Sequence, residues 1–348
     1  MDIQTYFRVS QEITARLVPH ELVFIKPAQT SRNILTHHRI HYVVFEGPNG
    51  FGIGEYAPIE GLSLETPGTL QTVFDEWVPS ASRFDWDYWR AKSSAFVFAI
   101  ETAFDTYING WKHAFSPIAI NGLVWMSAIE AMRSEALHKI QADFQCVKFK
   151  VGAHNFEEEC DLLDSIRQQY PDSNLMIRLD ANGAFSVDEA MDKLTKLASF
   201  HVHSIEQPIR AGNQVAMAEI CKQSPIPIAL DEELIGVHEK SSKRMLLETI
   251  RPQYIVLKPT LHGGKHGCDE WIELASELNI GWWVTSALES NIGLYGIARW
   301  LDGKSYSGYQ GLGTGELYAN NIDSPLKVEK GYLTHQPKQS WDFNLFQG

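Results

Sequence analysis

Apolar and polar positions alternate through residues 1–60, in segments such as HYVVFEG (41–47) and FGIGEYA (51–57), with polar turns between them. A period of two marks half-buried strands, and short polar breaks between such strands predict an antiparallel meander. From Tyr88 to Trp111 the period changes. Phe96, Ala99, Ile100, Ala103, Phe104 and Tyr107 recur at spacings of three and four, which predicts a single helix with one strongly apolar face. The first third of the chain therefore reads as a separate α+β unit.

From Pro117 onward, short apolar runs alternate with amphipathic stretches. The runs are IAINGLVWM, CVKFKVG, LMIRLDAN, HSIEQPI, PIALDEEL, YIVLKPT, WWVTSAL and a weaker one around GYQGLG. Between them lie helix candidates such as NFEEECDLLDSIRQQY and SVDEAMDKLTKLASF, with N-capping residues near their starts. Successive βα units imply a parallel sheet, and eight runs imply a closed barrel; the pattern alone leaves an open doubly wound sheet as the alternative. No residue-level repeat points to a solenoid.

Composition narrows the field. The chain has 348 residues with 30 Lys+Arg against 43 Asp+Glu, a net charge of −13, which excludes a basic nucleic-acid binder and disfavours anionic membranes. Its 44% hydrophobic and 21% charged residues match globular usage, and its length suits a barrel of about 250 residues plus a smaller unit. Cys146, Cys160, Cys221 and Cys268 form no CxxC pair, as expected in a reducing cytoplasm. No signal peptide or long apolar span is evident, so neither export nor membrane insertion is expected. A small-molecule substrate is the expected partner; oligomeric state is not legible.

In a βα barrel, catalytic groups sit at the carboxyl ends of the strands. Here those ends carry Lys148 and Lys150, then Asp180 and Asn182, Glu206, Asp231–Glu232–Glu233, Lys258, and Ser286 with Glu289 just beyond. Lys148 and Lys150 share one strand face, and taken alone they would read as a solvated pair. Asp180, Glu206 and Asp231 change that reading, because they end three consecutive strands. Each acid alone could cap a helix, but three together would repel one another unless a cation joined them. An all-oxygen set suits Mg²⁺, with Mn²⁺ as a substitute, and the absence of Cys and His disfavours zinc. Alternation gives Asp231 and Glu233 the same face, leaving both as candidate ligands. Lys258 lies across the barrel from Lys150, and burial beside a cation should depress its pKa toward neutrality. The two lysines can flank one substrate, one as base and the other as cation.

Other motifs take plainer readings. GLGTG (311–315) fits a barrel-end turn better than a phosphate loop. The glycines around His262 and His266 argue for a loop rather than a zinc site, and His201 and His203 read as surface or packing residues. The Trp282–Trp283 pair reads as packing between barrel and helix.

Together, KFK, LDAN, IEQP, LDEE and LKPT in that order, with AIETAFD upstream, resemble the muconate-lactonizing-enzyme-like subgroup of the enolase superfamily over nearly the whole chain. GIGEYAPIEGLSLET, VLKPTLHGG and TSALESNIGLYGIARWL are most similar to the o-succinylbenzoate synthase family within it. The resemblance implies a modified TIM barrel, (β/α)7β, over residues 115–315. It implies an α+β capping domain over residues 1–114 and a C-terminal segment, 316–348, returning to the cap. It implies one Mg²⁺ on Asp180, Glu206 and Asp231, supported by Asn182 and Glu232. Lys150 would remove the proton α to the carboxylate of 2-succinyl-6-hydroxy-2,4-cyclohexadiene-1-carboxylate and then act as acid in a syn loss of water, a step of menaquinone biosynthesis. Lys258 would hold the anionic intermediate and Lys148 would tune Lys150. Gly61, Leu62 and Ser63 of the cap loop, with Ser286, Glu289 and Ser290, would contact the substrate.

Two other functions stay in view. Two lysines facing one carbanion also suit an N-acylamino acid racemase or a dipeptide epimerase. The stretch GLGTGELYANN lacks the Asp-x-Asp that dipeptide epimerases typically carry there, which disfavours the latter. A non-catalytic barrel would leave its interior charges without purpose or compensation.

Overall fold

A computed structural model describes residues 13–29, 34–48, 50–66, 68–80 and 85–347. The first part of the expected meander, residues 1–12, lies outside the described residues. The meander itself comprises β1 (Thr14–Gln29), β2 (Ile34–Gly47) and β3 (Gly50–Tyr56), antiparallel in that order. Helices α1 (Thr69–Ser80), α2 (Trp86–Lys92) and α3 (Ser94–Asn109) follow.

The single helix expected from Tyr88 to Trp111 is thus two. Ser93 is extended, with φ −161° and ψ 111°, and its hydroxyl accepts from the Phe96 N–H, so one residue ends α2 and caps α3. A serine hydroxyl competes for backbone donors in this way, which periodicity does not register. Helix α3 then lies directly on β3. A Cβ at Gly54 would come within 1.7 Å of the Ala99 carbonyl oxygen, and one at Gly52 within 2.1 Å of that of Ala103. Only glycine permits this approach, and it seals a cap core of Val43, Phe45, Trp77, Phe96 and Ile100.

A two-residue strand, β4 (Ile118–Ala119), leads into the barrel. Seven parallel strands form its wall: β5 (Gly122–Val124), β6 (Cys146–Lys150), β7 (Met176–Asp180), β8 (Ser204–Glu206), β9 (Ile228–Leu230), β10 (Tyr254–Leu257) and β11 (Gly281–Val284). Each is followed by a helix: α4 (Ile129–Gln141), α5 (Phe156–Gln169), α6 (Val187–Ala198), α7 (Gln214–Gln223), α8 (Lys240–Ile250), α9 (Gly264–Glu277) and α10 (Asn291–Asp302). Asn155, Ser186, Asn213 and Ser290 cap four of them by accepting from first-turn N–H groups.

Gln310 and Gly311 fill the eighth position. They bond to Ala119 and Asn121 on one side and to Val284 and Ser286 on the other, which closes the barrel. The chain's end serves both units. Tyr318 bridges to Phe24 of β1 and Phe346 packs on Tyr42, whereas the hairpin β12 (Leu326–Glu329) and β13 (Tyr332–His335) pairs with β4.

Two cap carboxylates tie the units together. Glu55 of β3 accepts from the Ser290 and Gly293 N–H groups at the start of α10, and Glu101 of α3 accepts from those of Lys265 and His266 at the start of α9. Helix N-termini favour acids, yet burial dominates here and pushes both pKa values up to about 7. The helices so capped are the ones that follow β10 and β11, so the cap's docking bears on the loops of those two strands.

Candidate active site

Phe149 is buried between Lys148 and Lys150, and the alternation turns both lysines into the barrel. Lys150, Asp180 and Glu206 stand in register across β6, β7 and β8. The Lys148 Nζ lies 3.2 Å from Asp180 Oδ2 and 2.8 Å from Glu206 Oε2. That of Lys150 lies 3.0 Å from Asp180 Oδ2 and 2.7 Å from Asn182 Oδ1. On the far side, Lys258 donates to both Asp231 oxygens, at 2.7 and 2.5 Å. Three strands separate β6 from β10, so Lys150 and Lys258 face each other across the mouth.

Backbone strain gathers at the same rim. Asn182, Gln207 and Leu288 have φ of +43°, +39° and +65°, a region that non-glycine residues enter at a cost of about 1–3 kcal/mol. Gln207 is a functional support that sequence reasoning missed. Its Oε1 accepts from the N–H groups of Asp231 and Glu233, and its Nε2 donates to the Ile209 carbonyl, fixing the end of β9. The one signal was its place in IEQP, directly after Glu206.

Asp231 and Glu233 part at the turn that follows β9. A 3-10 turn, Glu232–Leu234, begins immediately after Asp231, so strand alternation does not extend to Glu233. Glu233 instead accepts from Gly212 N–H and from Gln207. Asp231 faces Lys258, and Glu232 lines the pocket while accepting from Asn182 Nδ2 at 3.0 Å.

The lysines do not behave as expected from burial. Burial does oppose the charge on Lys148, but Glu206 and Asp180 outweigh it and hold its pKa above the ordinary value. Burial opposes the charge on Lys258 too, but Asp231 and Glu232 overcome it and hold its pKa above the ordinary value. Asp180 is lowered, since Lys150 and Lys148 defeat its burial. Glu206 is raised by burial and by Asp180 despite Lys148, and burial beside Asp231 pushes Glu232 up to about 7.

Among the described residues, no three acidic, His or Cys side chains gather closely enough to form a ready-made cation cage. The lysine ammoniums stand between the carboxylates instead. The donor set nevertheless fits a hard cation: Asp180, Glu206 and Asp231 are buried, and Glu206 Oε1 is a buried oxygen with no hydrogen-bond partner. Glu232 Oε2 is in the same position.

Above these charges lies a pocket partly open to solvent. Lys148, Lys150, Asp180, Asn182, Glu232 and Lys258 form its polar floor, and Leu35, Ile59, Leu62, Leu123, Trp125 and Leu288 form apolar walls. Glu60, Thr285, Ser286 and Ala287 complete it. Of the expected substrate contacts, Leu62 and Ser286 line this cavity; the other four do not. Gly61 supplies the turn, with φ +76°, and the Ser63 hydroxyl accepts from the Ile59 N–H at 2.8 Å, bracing the loop from within. Glu289 is fully buried, bonded to the Thr260 hydroxyl and the Ala287 N–H, and Ser290 donates to Glu55. These groups brace the rim: Ser290, the N-cap of α10, turns to Glu55 of the cap, and Glu289 turns to Thr260 and Ala287 of the barrel.

The remaining motifs follow their plainer readings, with one refinement: a helix begins at Gly264 and so includes His266. His262 precedes it, buried, with Nδ1 accepting from the Lys258 N–H, whereas His266 lies near Glu270. Trp283 packs inside the barrel under the Arg178 guanidinium, 4.0 Å from its ring centroid. All four cysteines are buried and unpaired. No helix among the described residues is long and apolar enough to cross a membrane.

Comparison with known proteins agrees with this geometry. Residues 131–338 match the family described as Enolase C-terminal domain-like. The chain is 38% identical to o-succinylbenzoate synthase of Desulfotalea psychrophila, over 90% of this chain and 96% of that one. The crystal structure of MenC from the same organism superposes with a TM-score of 0.81 at 34% identity, covering 93% of this chain and all of the other. The L-Ala-D/L-Glu epimerase of Bacillus subtilis shares the fold, with a TM-score of 0.82 at 17% identity over 94% of this chain and 96% of that one. By its capped barrel, its strand-end carboxylates and these relatives, the chain belongs to the o-succinylbenzoate synthase family of the enolase superfamily.

Proposed function

We propose that this enzyme is a lyase that dehydrates 2-succinyl-6-hydroxy-2,4-cyclohexadiene-1-carboxylate to o-succinylbenzoate in menaquinone biosynthesis. The observation that carries this reading is Lys150 facing Lys258 across one pocket, above carboxylates from three consecutive strands. Asp180, Glu206 and Asp231 would hold Mg²⁺, or Mn²⁺ in its place, with Asn182 and Glu232 in support. When bound, the ion would supply Lewis-acid stabilisation of the charge that develops on the substrate carboxylate.

Lys150, as the free amine, takes the proton from the carbon bearing the carboxylate. The C–O bond to the ring hydroxyl then breaks, and the proton on Lys150 passes to the departing oxygen, which leaves as water while the ring becomes aromatic. Both events occur on one face, so one lysine serves as base and then as acid. Lys258 on the opposite face, as an ammonium, would offset the carbanion's charge. Lys148, bridging Asp180 and Glu206, sets the field around Lys150. The apolar walls suit the carbocycle.

We place the boundaries of the cap, barrel and returning segment at residues 1–114, 115–315 and 316–348. The buried, unpaired cysteines are in keeping with the cytoplasm.

The test follows the loss of the diene's absorbance with purified protein and Mg²⁺, beside EDTA and Lys150→Ala controls. Rapid metal-dependent conversion, abolished in the variant, is the expected result. Absence of conversion with deuterium exchange into N-acylamino acids or dipeptides would transfer the site to a racemase or epimerase.

A further inference from the structure

Leu288 is a leucine held in the left-handed backbone region, with φ +65°, and its residue lines the pocket. Such strain persists only where surrounding structure over-determines it, and it gathers at functional positions. The constraint here comes largely from outside the barrel. The Tyr318 hydroxyl donates to the Leu288 carbonyl at 2.6 Å, and His38 of β2 places Nδ1 3.1 Å from the same oxygen. His38 Nε2 lies 3.1 Å from the Pro58 carbonyl, at the entry to the cap loop whose Ile59 forms another apolar wall. On either side of Leu288, Glu289 holds the Ala287 N–H and Glu55 holds the Ser290 N–H. Tyr318 is itself fastened to the cap, through its bridge to Phe24 and the Ala319 N–H bond to the Val23 carbonyl.

We propose that Leu288 is a specificity-determining residue, its side chain set against the apolar carbocycle of the substrate by His38 and Tyr318 acting as positioning residues. The inference rests on the proposed function, because it takes a cyclic, largely apolar acid as the ligand. It makes the fit of the barrel's seventh-strand loop depend on the docked cap. Removing the side chain weakens binding of the ring while leaving the lysine chemistry in place. Removing the Tyr318 hydroxyl acts only through Leu288.

The experiment is a double-mutant cycle of Leu288→Ala and Tyr318→Phe, reading KM and kcat for the cyclohexadiene carboxylate and the Kd of the product o-succinylbenzoate by calorimetry. Leu288→Ala is expected to raise KM and Kd about tenfold, with kcat within about threefold of wild type. Tyr318→Phe is expected to raise KM about threefold alone and to add nothing in the Leu288→Ala background. Leu288→Asn is a second variant that tolerates the left-handed backbone, and it should match Leu288→Ala.

The inference is overturned if KM and Kd stay within about twofold in Leu288→Ala and Leu288→Asn, or if the Tyr318→Phe effect multiplies fully onto Leu288→Ala. Failure of the proposed function looks different. Wild-type protein that neither converts the diene nor binds o-succinylbenzoate overturns both readings, whereas product binding weakened in Leu288→Ala without turnover upholds this one alone.

Discussion

Lys148 lies 2.8 Å from Glu206 and 3.2 Å from Asp180, so one buried ammonium bridges the ends of two neighbouring strands. The bridge is asymmetric. Glu206 keeps one oxygen without a hydrogen-bond partner, and its pKa is raised by burial and by Asp180, whereas that of Asp180 is lowered by two lysines. Glu206 therefore has more to gain from a divalent cation than Asp180.

Replacing it should show this directly. Glu206→Gln is expected to weaken Mg²⁺ binding at least about a hundredfold and to abolish turnover, since one anionic donor of three is lost. Calorimetric titration of the metal, with far-UV circular dichroism to verify folding, measures the effect. Mg²⁺ binding at wild-type affinity would remove Glu206 from the ligand set.

Lys150→Ala leaves Lys148 on Asp180 and Glu206 and so should fold. Activity is expected to fall at least about a thousandfold, roughly 4 kcal/mol of barrier, with little change in product affinity. Steady-state kinetics beside product titration separates chemistry from binding. Near-normal kcat in this variant would show that another group is the base.

Gly54→Ala tests the seam between β3 and α3. The added Cβ would lie 1.7 Å from the Ala99 carbonyl oxygen, so backbone must separate from backbone. A loss of about 2–4 kcal/mol of stability is expected, from overpacking at a site with no flexible neighbour to yield. Urea unfolding measures it, and an unchanged midpoint would mean that the helix is free to shift.

His262 gives a pH dependence of known sign. Burial, with the charges of Lys258 and Lys243, holds its folded-state pKa well below 6.5. Above pH 6.5 the imidazole is neutral in folded and unfolded chains alike. Below that, the unfolded chain gains a proton that the folded chain refuses, so stability falls as pH falls, by up to about 1.4 kcal/mol per pH unit. His262→Asn retains an acceptor for the Lys258 N–H and lacks this term. Its stability deficit relative to wild type should therefore shrink between pH 6.5 and 5, and denaturant unfolding at each pH measures the gap. A gap independent of pH would mean that His262 titrates normally in the folded protein.

Much of this architecture is legible along the chain, because the cues are local. The alternation around Val43 and Phe45 marks a strand, and the eight apolar runs with capped amphipathic helices between them mark βα units. Once the units are parallel, every strand's carboxyl end reaches the same rim, so Lys150, Asp180, Glu206 and Lys258 converge without any tertiary information. Ser93 shows where periodicity falls short: the apolar face continues across it, but the hydroxyl bonds to the Phe96 N–H and breaks the helix.

The sequence by itself determined the succession of βα units and the polar residues at their strand ends, since strand period and chain direction settle which residues lie there. Closure of the strands into a barrel was decided by Gln310 and Gly311 pairing on both sides. Only the tertiary structure decided what each group just past a strand end does. Glu233 leaves the mouth because a 3-10 turn starts after Asp231, and Glu289 turns from the pocket to brace Thr260 and Ala287. Glu55 finds Ser290, a partner 235 residues away in the chain, and through it the cap holds the loop that bears Leu288. Such pairings depend on how two separately patterned units dock. A local pattern specifies which face of an element is buried, but not which donor from the other unit will meet it.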